Sequence, residues 1–378
     1  MLVFNILISY AYAFNRLSIN VSIPRILWDT LPLPPKAYKK IDLNYYYNVY
    51  IYKMTTILLN NEFDEAKVHD IVIYHQGCPD GITALWCANT YYKVNDIQFE
   101  KQSCPAGKKP LGNFENKKIL FVDLCPSLDF IIDVSTIASK ITILDHHKSA
   151  FDMYLSNLDF LNTLKNVEIV LKMEFSGCQL AWDYFYPTLE RPWFIEYVAD
   201  RDLWKWALPN SKEISNAFYH CAFINENKLE LLDDLYKFSE EQISDLVNKG
   251  KTIGEVQNKI LNTQLKQSFE GVFIAGETKY NVQFGSINRD MRSDLGNLLT
   301  EKVLLDGNLP DFSIIWNYDP TSNGWYMSMR GSNTSPDLSI IAKHFNGGGH
   351  AKASGFETSY NPFGTIFIIN TSPYDDKK

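Results

Sequence analysis

Three short apolar runs, each closed by a polar residue, constrain the fold of this chain more than any other feature. Asp70-Ile-Val-Ile-Tyr74 stops at His75, Lys118-Ile-Leu-Phe-Val122 at Asp123, and Lys140-Ile-Thr-Ile-Leu144 at Asp145. Short runs rich in β-branched residues read as buried strands. A turn through Gly77, Pro79 and Gly81 follows the first run, and a helical stretch from about Ile82 to Tyr92 follows the turn. Strands alternating with helices need right-handed crossovers, so the pattern predicts an α/β domain with a parallel sheet flanked by helices. In such a sheet ligands bind outside the carboxyl ends of the strands. His75, Asp80, Asp123, Asp145, His146 and His147 should therefore converge in one cleft.

The pattern changes along the chain. Ser176 is placed to cap a helix through Tyr186, and a second helical stretch from about Pro192 delivers Asp200-Arg201-Asp202. Residues 211–267 read as helical and charged, a connector. Strand-like runs return at 272–274, 311–315 and 325–329, with a helix near 291–300 between them. The glycine-rich segment Gly347-Gly348-Gly349-His350 comes late. This second part reads as a smaller α/β unit. The expected organisation is an extension over residues 1–65 outside the catalytic fold, a catalytic domain over 66–210, the helical connector over 211–267 and a substrate-binding domain over 268–372.

Composition narrows the function classes. The formal net charge of −8 argues against the broad basic face that long duplex nucleic acid requires. Six cysteines stand without CxxC pairs, which excludes a zinc ribbon and a disulfide framework and makes a reducing, cytoplasmic compartment the default. No apolar stretch approaches the ~20 residues of a membrane helix. Leu2 to Ala13 is mostly apolar but has no basic residue ahead of it. It reads as a weak targeting segment or as sequence upstream of the natural start.

The chemistry lies in the acidic and histidine set. Mn²⁺ and Mg²⁺ prefer carboxylate oxygen, and Mn²⁺ also accepts imidazole. Two such ions ~3.5–4 Å apart activate water and stabilise phosphoryl oxygens, a task that needs Asp and His ligands from separate loops with one carboxylate bridging. The chain supplies His75, Asp80, Asp123, His146 and Asp200, each at or just after the end of an apolar run. A lone strand-end Asp is usually a turn or cap residue, and a lone His is usually structural. Recurrence at successive element ends outweighs that reading. In the late segment, three glycines allow close backbone approach and expose N–H groups that can cradle an anion. His350 can donate to a phosphate and Arg330 can grip one bidentately. Ser293 and Asp294, beside Arg292, are placed to shape that pocket. Trp182, Trp204 and Trp206 read as core more readily than as base-stacking platforms.

These motifs together resemble the DHH phosphoesterase superfamily. His75-Gln-Gly-Cys-Pro-Asp-Gly81 resembles its first motif, Phe121-Val-Asp-Leu-Cys-Pro126 its second, Leu144-Asp-His-His-Lys148 its third and Tyr197-Val-Ala-Asp-Arg-Asp-Leu-Trp204 its fourth. Gly347-Gly-Gly-His-Ala-Lys-Ala-Ser-Gly-Phe356 resembles the signature of the accessory DHHA1 domain. The likeness spans about Asp70 to Phe356, roughly three quarters of the chain. The nearest branch is the nanoRNase B type of oligoribonuclease, with which Phe175-Ser-Gly-Cys-Gln-Leu-Ala-Trp182 also agrees.

The resemblance implies two Mn²⁺ or Mg²⁺ ions. It implies that His75 binds the first, Asp80 the second, and that Asp123 bridges both. His146 and Asp200 would complete the second site, with Asp202 a poorer alternative to Asp200. His147 would face the substrate phosphate and Asp145 would orient the histidines. Many superfamily members carry Asp where Cys78 stands, which implies a weaker first site with Cys78 as a possible contact. The implied activity is hydrolysis of short oligonucleotides to mononucleotides, with exonuclease polarity open. Alternatives are hydrolysis of a cyclic dinucleotide or of 3′-phosphoadenosine 5′-phosphate, digestion of longer strands, or a binding protein that kept the fold.

Overall fold

The computed structural model describes residues 63–224 and 228–369. The targeting-segment reading of the first residues lies outside them.

The expected parallel sheet is present, with five strands: β1 (Ile71–His75), β2 (Glu100–Cys104), β3 (Lys118–Val122), β4 (Lys140–Asp145) and β5 (Val167–Leu171). Their order is β2-β1-β3-β4-β5 and every pairing is parallel. The chain leaves β1 towards one edge and returns on its other side at β3. This order places a topological switch between β1 and β3, the point at which open α/β sheets hold their ligands. His75 closes β1 and Asp123 follows β3, so both stand at the switch.

Both faces of the sheet are covered, as an all-parallel sheet requires. On one face Ile71, Ile73, Ile119, Phe121, Ile141 and Ile143 pack with Phe130 and Ile131 of helix α2 (Leu128–Ser135). On the other, Val72, Leu120, Val122 and Leu144 meet α1 (Pro79–Val94) and α5 (Gly177–Phe185). The stacked rings of Trp86 and Trp182, with centroids 6.0 Å apart, join those two helices. Trp182 is thus core, as its sequence context suggests.

The helical stretch expected as a connector is three helices: α7 (Ser211–Ile224), α8 (Lys228–Leu235) and α9 (Glu240–Gln267). Ile214, Ala217, Phe218, Leu232, Leu235 and Leu246 are buried in the same core as α1 and α5. The start of this stretch therefore belongs to the first core. Long α9 begins at a Ser239–Gln242 capping box and leads on to the second sheet.

That sheet has seven strands, among them β6 (Phe269–Ala275), β7 (Thr278–Gly285) and β12 (Phe367–Ile369), in the order β10-β11-β9-β8-β7-β6-β12, antiparallel except for the β7–β8 pair. The strands that matter for the site are β8 (Phe312–Asp319), β9 (Gly324–Arg330), β10 (Gly348–His350) and β11 (Ala353–Thr358). Helix α10 (Arg292–Thr300) packs on it through Leu295 and Leu299, against Ile315 of β8.

Candidate metal centre

Asp123 is the hinge of the site. It follows β3 in a left-handed conformation (φ 55°), uncommon for any residue but glycine, although Asp tolerates it better than most. Its carboxylate reaches two ways. Oδ2 lies 3.2 Å from His75 Nδ1, and Oδ1 lies 3.1 Å from His146 Nε2. Helix α5 presses against its back: a Cβ on Gly177 would meet Asp123 Cβ at 2.4 Å. Only glycine fits there. Gly177 thus helps shape the site, yet its spacing in the sequence gives no hint of the role.

Asp123 belongs to two groups of donor atoms, one with His75 and Cys78 and one with Asp145, His146 and His147. Nitrogen, sulfur and oxygen atoms of His75, Cys78 and Asp123 lie within 4.8 Å of one another. So do donor atoms of Asp80, His146 and Asp202. His146 Nε2 is 3.6 Å from Asp80 Oδ2 and 3.5 Å from Asp202 Oδ2. Asp80 is sealed at the first turn of α1, and its two oxygens accept from the N–H groups of Gly177 (2.5 Å) and Cys178 (2.9 Å). The positive end of α5 therefore helps hold this carboxylate.

One expected ligand is corrected. Asp200 does not enter the cluster and Asp202 does. Asp200 accepts hydrogen bonds from Ala207 N (2.9 Å), Leu208 N (3.4 Å) and Ser211 Oγ (2.5 Å). It fastens the loop after α6 (Trp193–Asp202), where Trp204 and Trp206 both take positive φ. Residues two apart on a helix point roughly opposite ways, so only one of the pair can face the cluster.

Asp145 contacts both of the histidines that follow it. Asp145 Oδ1 accepts from the His146 backbone N–H (2.9 Å) and lies 2.7 Å from His147 Nδ1. It holds the His146 backbone and the His147 ring, while His146 Nδ1 is buried without a hydrogen-bond partner, and donor atoms of Asp123, Asp145, His146 and His147 lie within 4.8 Å of one another. His147 keeps its other ring nitrogen for the cleft.

Across the cleft stands the second sheet. The His350 ring stacks on His147 with centroids 4.8 Å apart and lies 4.9 Å from His146. Arg330, Ala353 and His350 are paired in register across β9, β11 and β10. Paired residues project to the same face, so Arg330 and His350 share one, about 10 Å apart over two strand spacings. Arg330 Nη2 donates to Ser293 Oγ at 2.7 Å, and Gly296 leaves room for it: a Cβ there would meet Arg330 Cγ at 2.6 Å. Neighbouring Asp294 pairs with Arg201 at 3.5 Å, and Arg201 lies over the Tyr219 ring at 3.9 Å. Arg201 stands beside Asp202, so this link ties the Arg330 pocket to the acidic cluster.

In the glycine triplet, expected to cradle an anion, two N–H groups have partners within the protein. Gly347 N–H donates to Ala342 O (2.8 Å) and Gly349 N–H to Ser149 Oγ (3.4 Å). A Cβ would collide with Gly355 O at Gly347 and with Ala353 O at Gly349. These two glycines let β10 lie close to β11, while Gly348 faces Ser149, just beyond the histidine triplet.

The electrostatics fit a divalent cation. Burial, then the charges of Asp123 and Asp202, push Asp80 up to about 8. Burial likewise raises Asp202. Burial works against ionised Asp123 too, but the hydrogen bonds to His146 and His75 outweigh it and hold this carboxyl well below its ordinary value. Burial alone would lower His146; Asp123, Asp202 and Asp80 together raise it to about 10. Crowded carboxylates that keep their protons and a histidine that keeps its charge mark a pocket with more negative charge than it can hold unaided. A bound cation would supply the balance. Burial and the charges of His147 and His146 drop His350 to about 2, leaving a neutral imidazole.

No family model matches the chain. Uncharacterized protein R106 of Acanthamoeba polyphaga mimivirus is 29% identical over 313 residues, 79% of this chain and 70% of that protein. Among solved structures the chain is similar to the pGpG-specific phosphodiesterase PggH of Vibrio cholerae, at 13% identity and a TM-score of 0.39 over 77% of this chain and 94% of that one. It is similar to RecJ of Thermus thermophilus in complex with Mn²⁺, at 10% identity and a TM-score of 0.42 over 81% of this chain and 51% of that one. An uncharacterized protein of Helicobacter pylori is similar at 16% identity and a TM-score of 0.37, over 81% of this chain and 96% of that one.

Proposed function

We propose that this chain is a divalent-metal-dependent phosphodiester hydrolase of the DHH type that degrades short oligonucleotides to mononucleotides. The observation that carries the reading is the shared carboxylate. One oxygen of Asp123 faces His75 and the other faces His146, each at hydrogen-bond distance, and each side has further donors beside it. That arrangement suits a carboxylate held between two cations.

In this reading His75, Cys78 and Asp123 hold one ion, and Asp80, His146, Asp202 and Asp123 hold the other. When bound, Mn²⁺ or Mg²⁺ would supply Lewis acidity towards water and towards phosphoryl oxygen. The remaining work belongs to side chains. Asp145 orients His147, leaving one ring nitrogen to meet a phosphate oxygen. His350 offers a neutral N–H beside it, and Arg330, steadied by Ser293, offers a planar cationic grip on a second phosphate. His350 and Arg330 about two strand spacings apart fit two consecutive phosphates or a terminal one. A cleft walled on both sides favours a short strand over a duplex, in keeping with the net charge of −8.

The test is a substrate panel. The full chain with Mn²⁺ is incubated with RNA oligomers of a few nucleotides, a long RNA strand, cyclic dinucleotides and phosphoadenosine phosphate. Mononucleotides released fastest from the short oligomers are the expected result. Turnover confined to cyclic dinucleotides or phosphoadenosine phosphate would move the substrate but keep the centre. Metal binding with no turnover of any member would overturn the hydrolase reading.

A further inference from the structure

The two ligand groups differ in the atoms they offer. Asp80, His146 and Asp202 present only oxygen and nitrogen, whereas His75, Cys78 and Asp123 add a sulfur. The backbone fixes that sulfur where it is. Gly77 turns the chain at φ +68°, and Gly81 packs so closely that a Cβ would meet His75 O at 2.5 Å. The closed turn from His75 to Gly81 keeps the imidazole and the thiol on the side facing Asp123. Cys78 occupies the N-cap of the 16-residue helix Pro79–Val94, yet its side chain makes no capping hydrogen bond. The sulfur faces the Gly81 backbone N–H at the positive end of this helix, on the side of Asp123.

Hard Mg²⁺ and Mn²⁺ are poor partners for sulfur. Zn²⁺ and Co²⁺ accept sulfur, imidazole and carboxylate together.

We propose that the centre is asymmetric in its metals: the His75-Cys78-Asp123 position selects a thiophilic divalent ion of the Zn²⁺ or Co²⁺ kind, while the Asp80-His146-Asp202 position takes Mn²⁺ or Mg²⁺. This rests on the two-ion reading above. Binding at the first position forms a metal–sulfur bond and releases the Cys78 proton to solvent.

The experiment uses the full-length metal-free chain and Co²⁺, read by absorption and by equilibrium dialysis. The expected result is a near-ultraviolet sulfur-to-cobalt charge-transfer band that is absent from Cys78→Ser and Cys78→Asp, with the other five cysteines untouched. Cys78→Asp should also bind Mn²⁺ more tightly. Its preference for Zn²⁺ over Mn²⁺ should fall by at least about 100-fold, the upper effect of losing even an outer-shell partner. Should either variant misfold, alkylation of the native chain gives the same answer: Zn²⁺ should shield Cys78 from iodoacetamide where Mg²⁺ does not, by peptide mass mapping. Cobalt bound without a sulfur band, or a band that survives Cys78→Ser, overturns this inference and leaves the metal-centre reading intact. No divalent ion bound at all overturns both.

Discussion

On one side of Asp123, Asp80 and His146 are sealed, with 0% and 1% of their side-chain surfaces exposed, and Asp202 beside them keeps 24%; on the other, His75 keeps 18%. The two sealed residues are tied to neighbouring elements. Asp80 rests on the first turn of one helix and accepts from the first turn of another, and His146 is pinned through Asp145. The open side hangs on a turn between β1 and α1. The sealed side therefore carries the crowded charge of the cluster, and under the proposal above the open side would carry the choice of metal. A buried cluster gains most from a cation because it has least water to replace it.

Four experiments test that contrast, beginning with the largest effect. Asp123→Asn removes the carboxylate both sides share. Two bound ions should become none by elemental analysis. Any hydrolysis should fall by about 1000-fold or more, beyond the loss of a single transition-state donor. Retention of one tightly held ion would show that the sides are independent.

Asp200 and Asp202 form the next test, because they are near neighbours in sequence and opposite in placement. Asp202→Asn should weaken Mn²⁺ binding by about 10–100-fold with little change in melting temperature. Asp200→Ala should lower stability by about 3 kcal/mol, since Ala207 and Leu208 N–H and the Ser211 hydroxyl lose a charged acceptor. Equal metal loss in both would contradict the assignment of Asp202 to the cluster.

Arg330→Gln addresses the far wall of the cleft. With one charge-assisted phosphate contact gone, KM should rise by about 10-fold or more while metal stoichiometry stays constant. A kcat loss with unchanged KM would place Arg330 in the chemical step instead.

The smallest effect is the pH dependence of the sealed side. Asp80 (raised to about 8) and His146 (raised to about 10) both bind a proton more tightly folded than unfolded. Their stabilising contribution is full below their ordinary values of 3.8 and 6.5 and is lost as pH rises through 8 and then 10. Asp123, held low, works the other way, its contribution fading only below its ordinary 3.8. From pH 4 to 10 the metal-free chain should therefore lose melting temperature. Mn²⁺ should restore more of it the higher the pH, while binding releases protons. A gap between loaded and metal-free melting temperatures that narrows with pH would count against a protonated cluster.

Much of this was legible in the sequence for a plain reason. A strand buried on both faces writes itself as an unbroken apolar run, so the polar residue that ends it stands out. His75, Asp123 and Asp145 were visible on that ground. Strands β2 and β5 were not, because Glu100–Cys104 and Val167–Leu171 lie at sheet edges and mix polar with apolar residues. The helices over 211–246 looked like a connector because their charge hides a few deeply buried positions such as Ala217 and Leu232.

Sequence alone determined the parallel α/β core, the donors at its strand ends, and the pairing of that core with a second unit carrying Arg330 and His350. These follow from local rules, in which hydrophobic period sets the element and element order sets the topology. Tertiary structure decided the rest. It put Asp202 and not Asp200 in the cluster, because helix phase at a terminus depends on what the next loop bonds to. It assigned Gly347 and Gly349 to close strand packing, and it set Gly177 against the back of Asp123. Each of these depends on contacts between residues far apart in the chain, and no local pattern records such a contact.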